Sequence, residues 1–153
     1  MVSKELLNNL YFDKDADLSL IQAKIVAIIG YGNQGRAQAL NLRDSGVKVI
    51  VGAREGGSSE QQAKEDGFNV LSIQEAVKNT DIIAILLPDQ VMSEVYDISI
   101  SPNLSAGKIL QFSHGYNIHY ENTWSHLVNA KHIKKPTKIK PSFSTHLLTN
   151  KKN

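Results

Sequence analysis

The sequence predicts an α/β fold in which a mostly parallel sheet carries helices on both faces. Short apolar, β-branched runs alternate with helical patterns from residue 24 to about residue 113. The runs contain few polar residues, which is typical of strands buried on both faces. The connections between them are short, as in successive β-α-β units with parallel strands. We therefore expect a domain over 24–120, preceded by an N-terminal segment over 1–23 that forms a helix and a linker.

The first predicted β-α-β unit occupies 24–52. Its first strand is KIVAIIG at 24–30, and its second is VKVIVG at 47–52. The helix between them is expected to end at Gly46, because glycine commonly follows a helix C-terminus. Three apolar residues of this segment fall at helical spacing: Ala37, Leu40 and Leu42.

The later elements continue the same alternation. Ser72 and Glu75 have the spacing of a capping box, which predicts a helix start at that point. Pro88 closes the third long apolar run. The expected ranges are a polar helix at 58–67, a strand at 69–71, a helix at 72–79, a strand at 81–88, a helix at 89–99 and a strand at 108–115.

Composition excludes several classes of protein. The chain has 153 residues, of which 41% are hydrophobic, enough for one domain with a core of its own. It has no cysteine, which excludes disulfides, zinc–thiolate sites and cysteine nucleophiles. The longest apolar runs, 25–29 and 82–87, are far shorter than the roughly 20 residues of a membrane helix. The N-terminus has no apolar core of a signal peptide, so we expect a cytoplasmic protein without a membrane partner.

Charge divides the chain into two parts. Residues 1–120 hold 10 Lys and Arg against 14 Asp and Glu, whereas residues 121–153 hold 7 Lys and one Glu. The acidic body shows no footprint for nucleic acid. The segment 121–153 has no clear period, which favours a solvated, poorly ordered basic tail. Its IKKPTKIKP stretch could instead contact nucleic acid or an anionic membrane, although it has few aromatic residues and this alternative is less favoured.

A glycine-rich turn is the strongest motif. It has the pattern GxGxxG, follows a predicted strand and opens a predicted helix, which is the context that dinucleotide binding requires. The first glycine permits the tight turn, the second lets backbone approach a pyrophosphate, and the third lets the helix pack on the strand. The motif thus predicts a Rossmann-like fold; the alternative is a turn that binds nothing. The residues concerned are Gly30, Tyr31, Gly32, Asn33, Gln34 and Gly35.

The residue after the second strand indicates which dinucleotide binds. NAD-binding domains place an acidic residue there for the ribose 2′-hydroxyl, but this chain has Arg54. A guanidinium with the nearby hydroxyls of Ser58 and Ser59 suits a 2′-phosphate, so NADP(H) is preferred over NAD. Glu55 is the contrary feature. In the alternative interpretation Arg54 is a surface charge and Ser58 only caps the next helix.

Two further segments lie at the expected carboxyl edge of the sheet, where cofactors bind in such folds. Residues Asp89, Gln90, Val91 and Met92 follow the third long strand and could line the nicotinamide side; Asp89 could also simply complement the helix dipole. His114 ends the last predicted strand. It could orient substrate or transfer a proton, although a single histidine is more often structural.

These residues together resemble the ketol-acid reductoisomerase family, also called acetohydroxy-acid isomeroreductase. The resemblance runs from about Tyr11 to Tyr120 and is carried by YFDKDADLSLIQ, KIVAIIGYGNQGRAQALNLRDSGVKVIVGAREG, ILLPDQV and FSHGYNIHY. It implies an enzyme of valine, leucine and isoleucine synthesis that uses NADPH and Mg²⁺. The family isomerises a 2-acetohydroxy acid by alkyl migration and then reduces the product to a 2,3-dihydroxy acid.

The resemblance also assigns roles to matching positions. Tyr31 to Gln34 correspond to the phosphate turn, Arg54 and Ser59 to the 2′-phosphate contacts, and Asp89 to Met92 to a second cofactor-binding stretch. His114 corresponds to the active-site histidine of the family. Gly57 departs from the pattern, because the family usually has a hydroxyl residue there, and this weakens the expected NADP preference.

The end of the chain departs further from the family, which continues with more of its nucleotide-binding domain and then a helical domain with the magnesium ligands. Beyond Tyr120 nothing resembles those parts, and Glu121 is the one acidic residue. We therefore expect a Rossmann-like domain incomplete at its C-terminal end, no metal ligands in this chain, and little activity alone. A truncated or frameshifted enzyme fits this pattern. The alternative is a non-catalytic module that binds NADP or a partner, either a second copy or a complementing chain.

Overall fold

The computed structural model of the chain describes residues 16–114 with their side chains and residues 146–149 as backbone. Most of the predicted N-terminal segment and of the predicted tail lies outside these residues. In chain order the described elements are α1 (Ser19–Gln22), β1 (Ile25–Ile29), α2 (Asn33–Asp44), β2 (Lys48–Gly52), α3 (Ser58–Glu65), β3 (Asn69–Leu71), α4 (Ile73–Lys78), β4 (Ile82–Ile85), α5 (Asp89–Val95), a π-helical turn (Tyr96–Ile100), a 3₁₀ turn (Ser101–Asn103), β5 (Ile109–Phe112) and β6 (His146–Thr149).

The strands form a single sheet in the order β3-β2-β1-β4-β5-β6. Strands β1 to β5 are parallel to one another, and β6 pairs antiparallel with β5. The chain moves outward from β1 through β2 to β3 and then returns to place β4 on the other side of β1. Such a reversal opens a crevice at the carboxyl ends of the two central strands. The predicted Rossmann-like, mostly parallel sheet is confirmed.

Helices cover both faces of the sheet, as predicted. Successive residues of β1 point to opposite sides, so Ala27 and Ile29 enter one core and Val26 and Ile28 the other. Residues of α4, α5 and the π-helical turn fill the first core, and residues of α2 and α3 fill the second. Each β strand in the centre is therefore buried on both sides, which explains its apolar run.

The inner face of α2 differs from the predicted one at one position. Leu40 and Leu42 pack against the core, but Ala37 is exposed. The buried residues of this helix are Gly35 and Ala39, which are four residues apart and therefore lie one above the other on the same face. The helix rests on the sheet through its smallest side chains, and this brings its first turn close to β1.

The ends of two elements also differ from the sequence prediction. The helix predicted over 89–99 is α-helical only to Val95 and continues as the π-helical turn. Part of the segment predicted as a tail, His146–Thr149, forms β6 opposite Phe112 to Ile109. These four residues, HLLT, do not alternate between apolar and polar side chains, so they carry no strand signal. Among the described residues no helix is long and apolar enough to cross a membrane.

Candidate functional site

The glycine turn connects β1 to α2 at the crevice between β1 and β4. Gly30 has a φ of +99°, and a Cβ there would lie 2.8 Å from the carbonyl oxygen of Leu86 on the neighbouring chain segment. A Cβ on Gly35 would overlap the carbonyl oxygen of Gly30, well inside 3.0 Å. Both positions therefore require glycine for packing alone, and they bring the start of α2 against the end of β1.

Gly32 differs from the other two glycines of the turn. It is the N-cap of α2, its backbone is extended, and a Cβ there would meet nothing within 4 Å. The first N–H groups of an α-helix lack partners within the helix, and no side chain caps this one. The turn thus presents open space in front of unpaired N–H groups and the positive end of a 12-residue helix. This arrangement fits the pyrophosphate of a dinucleotide.

Two grooves lie on either side of this turn. The inner groove has a volume of about 340 Å³, and the outer groove has a volume of about 590 Å³. Both are within the usual range for small-molecule sites. The predicted residues in the inner groove are Gly32, Asn33, Gln34, Gly35, Asp89, Met92 and His114. The predicted residues in the outer groove are Gly30, Tyr31, Arg54, Ser58, Ser59 and Val91.

One predicted site residue lies in neither groove. Gln90 is exposed, although its neighbours Asp89 and Val91 line the inner and the outer groove respectively. Met92 contributes to the wall of the inner groove but is only 2% exposed, because its side chain belongs to the core. The stretch after β4 therefore contributes residues to both grooves.

The loop after β2 forms one wall of the outer groove. Arg54 is exposed, and among the described residues no carboxylate forms a salt bridge with it. The alternative in which Ser58 caps the next helix is wrong, because Gly57 is the N-cap of α3 and no side chain makes the cap hydrogen bond. Glu60 instead accepts a hydrogen bond from the Gly56 N–H at 2.6 Å and pairs with Lys64.

The inner groove is also lined by an acid–imidazole pair. Asp89 begins α5, and His114 follows β5 at the same edge of the sheet. The His114 Nδ1 atom lies 3.5 Å from the Asp89 Oδ2 atom, and the imidazole side chain is 69% exposed. Asp89 is therefore both a first-turn acid at a helix N-terminus, as the alternative interpretation expected, and a neighbour of the predicted catalytic residue.

A cluster behind the glycine turn was missed by the sequence analysis. The carboxylate of Asp66 accepts hydrogen bonds from the Tyr31 hydroxyl at 2.9 Å and from Arg36 Nε and Nη2 at 2.6 and 2.8 Å. Arg43 donates to the backbone carbonyl of Asp66 at 2.7 Å and lies over the ring of Phe68. We refer to Tyr31, Arg36, Arg43 and Asp66 as the Asp66 cluster. Its other three members are 23 to 35 residues from Asp66 in the sequence, so no local pattern reveals it.

The cluster shifts two pKa values in opposite directions. The hydrogen bonds from Arg36 are the main cause that lowers the pKa of Asp66 to about 2, and the Tyr31 hydroxyl acts in the same direction. Burial raises the pKa of Tyr31 to about 12, and its hydrogen bond to Asp66 adds to this effect. At neutral pH the cluster therefore contains an ionised carboxylate and a neutral phenol.

These shifts predict how stability depends on pH. The Asp66 contribution is complete above its ordinary pKa of 3.8 and is lost as the pH falls towards 2, whereas the Tyr31 contribution is lost as the pH rises from 10 towards 12. We expect an Asp66→Asn variant to melt at a lower temperature than the unmodified chain at pH 6, and the difference to shrink between pH 4 and pH 2. Thermal melts across this range measure it, and a constant difference would contradict the assignment.

Comparison with known proteins places the chain in a family. A family model described as "Acetohydroxy acid isomeroreductase, NADPH-binding domain" matches residues 20–133. The "Ketol-acid reductoisomerase (NADP(+))" of Leptospira biflexa serovar Patoc, from two strain sources, is 54% identical over 113 residues. The match covers 74% of this chain but 34% of each relative, so the chain spans about a third of the length of these curated proteins.

Solved structures agree with this assignment. A structure described as an NADH-preferring ketol-acid reductoisomerase from an uncultured archean is 46% identical, with a TM-score of 0.68, and the match covers 72% of this chain and 35% of that one. The 3-hydroxyisobutyrate dehydrogenase of Mycobacterium tuberculosis is only 22% identical, with a TM-score of 0.54 over 67% of this chain and 37% of that one, and supports the fold alone. The chain thus belongs to the ketol-acid reductoisomerase family and represents its N-terminal, NADPH-binding domain.

Proposed function

We propose that this chain binds NADP(H) across the glycine turn and serves the ketol-acid reductoisomerase reaction of branched-chain amino-acid synthesis. The observation that carries the proposal is the geometry of Gly32. Because this residue has no side chain and the space beside it is empty, a pyrophosphate can approach the N-terminus of α2 between the two grooves. A dinucleotide has two nucleoside halves joined by that pyrophosphate, so one groove for each half is the arrangement it needs.

The two grooves differ in their chemistry, and this difference indicates which nucleoside half of the dinucleotide each groove would bind. Arg54, Ser58 and Ser59 supply a cation and hydroxyls to the outer groove, which suits the adenosine 2′-phosphate. The inner groove contains the first turn of α5 and ends at His114, which suits the nicotinamide half and the substrate. When bound there, NADPH supplies the hydride that reduces a 2-keto acid.

His114 is the proposed catalytic residue of this chain. Its imidazole lies at the mouth of the inner groove, where it can hold or transfer a proton at a substrate oxygen. Asp89 lies on the Nδ1 side of the ring, which leaves the other ring nitrogen to interact with a substrate oxygen. The proposed substrate is a 2-acetohydroxy acid, as the family resemblance implies.

The described residues do not form a magnesium site. No group of three or more His, Asp or Glu side chains within 16–114 is arranged to hold a metal ion. Alkyl migration in the family requires a Lewis acid, and the residues within 16–114 provide no site for one. We propose that the 153-residue chain by itself binds the cofactor and does not turn over the substrate.

NADP(H) preference is a separate part of the proposal. Arg54 and the two serines favour a 2′-phosphate, whereas Gly57 removes the hydroxyl that the family usually places beside them. The archaeal relative described as NADH-preferring belongs to the same family, so preference can differ among its members. We propose that the chain prefers NADPH over NADH, but less strongly than family members that have a hydroxyl residue at the position of Gly57.

A non-catalytic role is the second candidate function. In this alternative the nucleotide-binding domain acts as a binding module for NADP, or pairs with a second copy or a complementing chain. We also propose a cytoplasmic location and no nucleic-acid partner. Neither function requires a contact with a membrane.

Titration of the purified chain with NADPH and with NADH tests these proposals together. We expect saturable quenching or enhancement of cofactor fluorescence, with NADPH bound several-fold more tightly than NADH. An assay with acetolactate, Mg²⁺ and NADPH should show no turnover. Binding of neither cofactor by folded protein would refute the cofactor proposal, whereas turnover by the isolated chain would refute the proposed inactivity.

A further inference from the structure

The Asp66 cluster joins the two segments that would hold phosphate groups. Tyr31 lies between the first two glycines of the turn, and Arg36 directly follows the third. Asp66 is the C-cap of α3, the helix whose other end carries Ser58 and Ser59. One carboxylate therefore connects the pyrophosphate turn to the helix of the proposed 2′-phosphate segment.

The cluster is built more firmly than an ordinary surface ion pair. The Asp66 side chain is only 12% exposed, and it accepts two hydrogen bonds from one guanidinium in addition to that of the Tyr31 hydroxyl. Bidentate guanidinium–carboxylate contacts fix orientation as well as distance. The Tyr31 ring also packs edge-on against Phe68, with centroids 5.8 Å apart, and Phe68 follows Asp66 by two residues. Each contact fixes the end of α3 against the turn.

Asp66 itself lines neither the inner nor the outer groove. Asp66 therefore does not contact a ligand in either groove directly. It lies at one end of the eight-residue helix α3, and Ser58 and Ser59 lie at the other end. A short helix moves as one body, so a displacement at Asp66 reaches Ser58 and Ser59. The position of the 2′-phosphate segment relative to Gly32 thus depends on the cluster.

We propose that Asp66 is a positioning residue for dinucleotide binding, which holds the 2′-phosphate segment at a fixed distance from the pyrophosphate turn. This inference rests on the proposed function and adds to it a residue outside the cofactor contacts. The consequence concerns ligands that bridge the two segments. NADPH contacts both segments, so its affinity depends on the distance between them being fixed before it binds. The smaller ligand 2′-AMP reaches only the outer groove, so its affinity does not depend on that distance.

An Asp66→Ala variant separates these two ligands. We expect its Kd for NADPH to rise about ten-fold, because the bridging ligand must then order the two segments itself. Its Kd for 2′-AMP should stay within about two-fold of that of the unmodified chain. Fluorescence titration measures the first constant and NMR titration the second, both at a temperature well below the melting transition of the variant. A merely structural role would lower the melting temperature without changing the ratio of the two constants.

Two further variants control the comparison. Glu65→Gln removes one negative charge from the neighbouring, exposed residue and should change neither Kd by more than about two-fold. Tyr31→Phe removes one of the hydrogen bonds to Asp66 and keeps the ring against Phe68, so we expect an intermediate loss of NADPH affinity, about three-fold. Because this variant retains the ring packing, it keeps the test available if Asp66→Ala does not fold.

The outcomes distinguish this inference from the proposed function. If the unmodified chain binds neither NADPH nor 2′-AMP, the proposed function is wrong and the inference is wrong with it. If the chain binds both ligands, and the Asp66 and Tyr31 variants weaken both equally or weaken neither, only the positioning role is overturned. A selective loss of NADPH affinity in both variants supports it.

Discussion

Replacing Gly35 with alanine should unfold or strongly destabilise the domain, and dinucleotide binding should be lost with it. The added Cβ would overlap the backbone carbonyl oxygen of Gly30, which cannot rotate away as the end of a flexible side chain can. Either α2 must move away from the turn or the turn must open. Overpacking of this kind costs about 3 kcal/mol at the upper end of its usual range, which corresponds to a fall in melting temperature of about 10 °C in a domain of this size.

The matched variant is Gly32→Ala, three residues earlier in the same turn. Its backbone is extended and its Cβ would meet no atom within 4 Å, so the fold should tolerate alanine and the melting temperature should change by only a few degrees. The methyl group would instead occupy the space in front of the α2 N-terminus that a pyrophosphate needs. We expect the Kd for NADPH to rise at least ten-fold in a folded protein.

Thermal melting and NADPH titration of both variants measure these two effects separately. Gly35→Ala tests packing between helix and strand, and Gly32→Ala tests approach of the ligand. If Gly32→Ala bound NADPH as tightly as the unmodified chain, the pyrophosphate would lie elsewhere and the proposed site would be wrong. If Gly35→Ala left the melting temperature unchanged, the close approach of α2 to Gly30 would not exist in solution.

The contrast between these glycines also shows what the sequence could predict. The order of strands and helices, the glycine turn and the start of α4 at Ser72 follow from local patterns, and Ser72 does accept the hydrogen bond from the Glu75 N–H. Each of these features depends on residues that are close to one another in the sequence. The expectation that the candidate cofactor residues share the carboxyl edge of the sheet follows from the alternation of strands and helices together with the rules for parallel sheets.

Features that depend on contacts between distant residues could not be predicted in this way. Asp66 is 35 residues from Tyr31, and nothing in either local segment indicates that they meet. Serine is a common helix cap, which favours Ser58 at the start of α3, but the path of the loop makes Gly57 the N-cap. The spacing of apolar residues in α2 also predicts a buried Ala37, which is exposed, because the helix packs on the sheet through Gly35 and Ala39.

The preference for NADPH should depend mainly on Arg54. This side chain is exposed at the end of β2 and lines the outer groove, and among the described residues it forms no salt bridge that would compete for a phosphate. A hydrogen bond between charged partners contributes about 1.5–3 kcal/mol, and 1.4 kcal/mol corresponds to a ten-fold change in affinity. We therefore expect Arg54→Gln to raise the Kd for NADPH about ten-fold, the lower end of this range, and the Kd for NADH less than three-fold, so that the several-fold preference for NADPH disappears.

Two variants make this prediction specific. Lys48→Gln removes the same charge from an exposed residue at the opposite end of β2 and should leave both constants within about two-fold. Gly57→Ser restores a hydroxyl beside the proposed phosphate; its Cβ would lie 3.1 Å from the Arg54 carbonyl oxygen, so a small adjustment of the loop is needed. We expect it to tighten NADPH binding a few-fold and to leave NADH unchanged.

The salt dependence of binding provides the final discrimination. An exposed guanidinium that contacts a phosphate is screened by added salt, so NADPH affinity should fall more steeply with ionic strength in the unmodified chain than in Arg54→Gln. NADH lacks the 2′-phosphate and should show equal slopes in the two proteins. If Arg54→Gln weakened NADPH and NADH equally, the arginine would act by packing on the adenosine that both cofactors share. The preference would then have to come from Ser58 and Ser59.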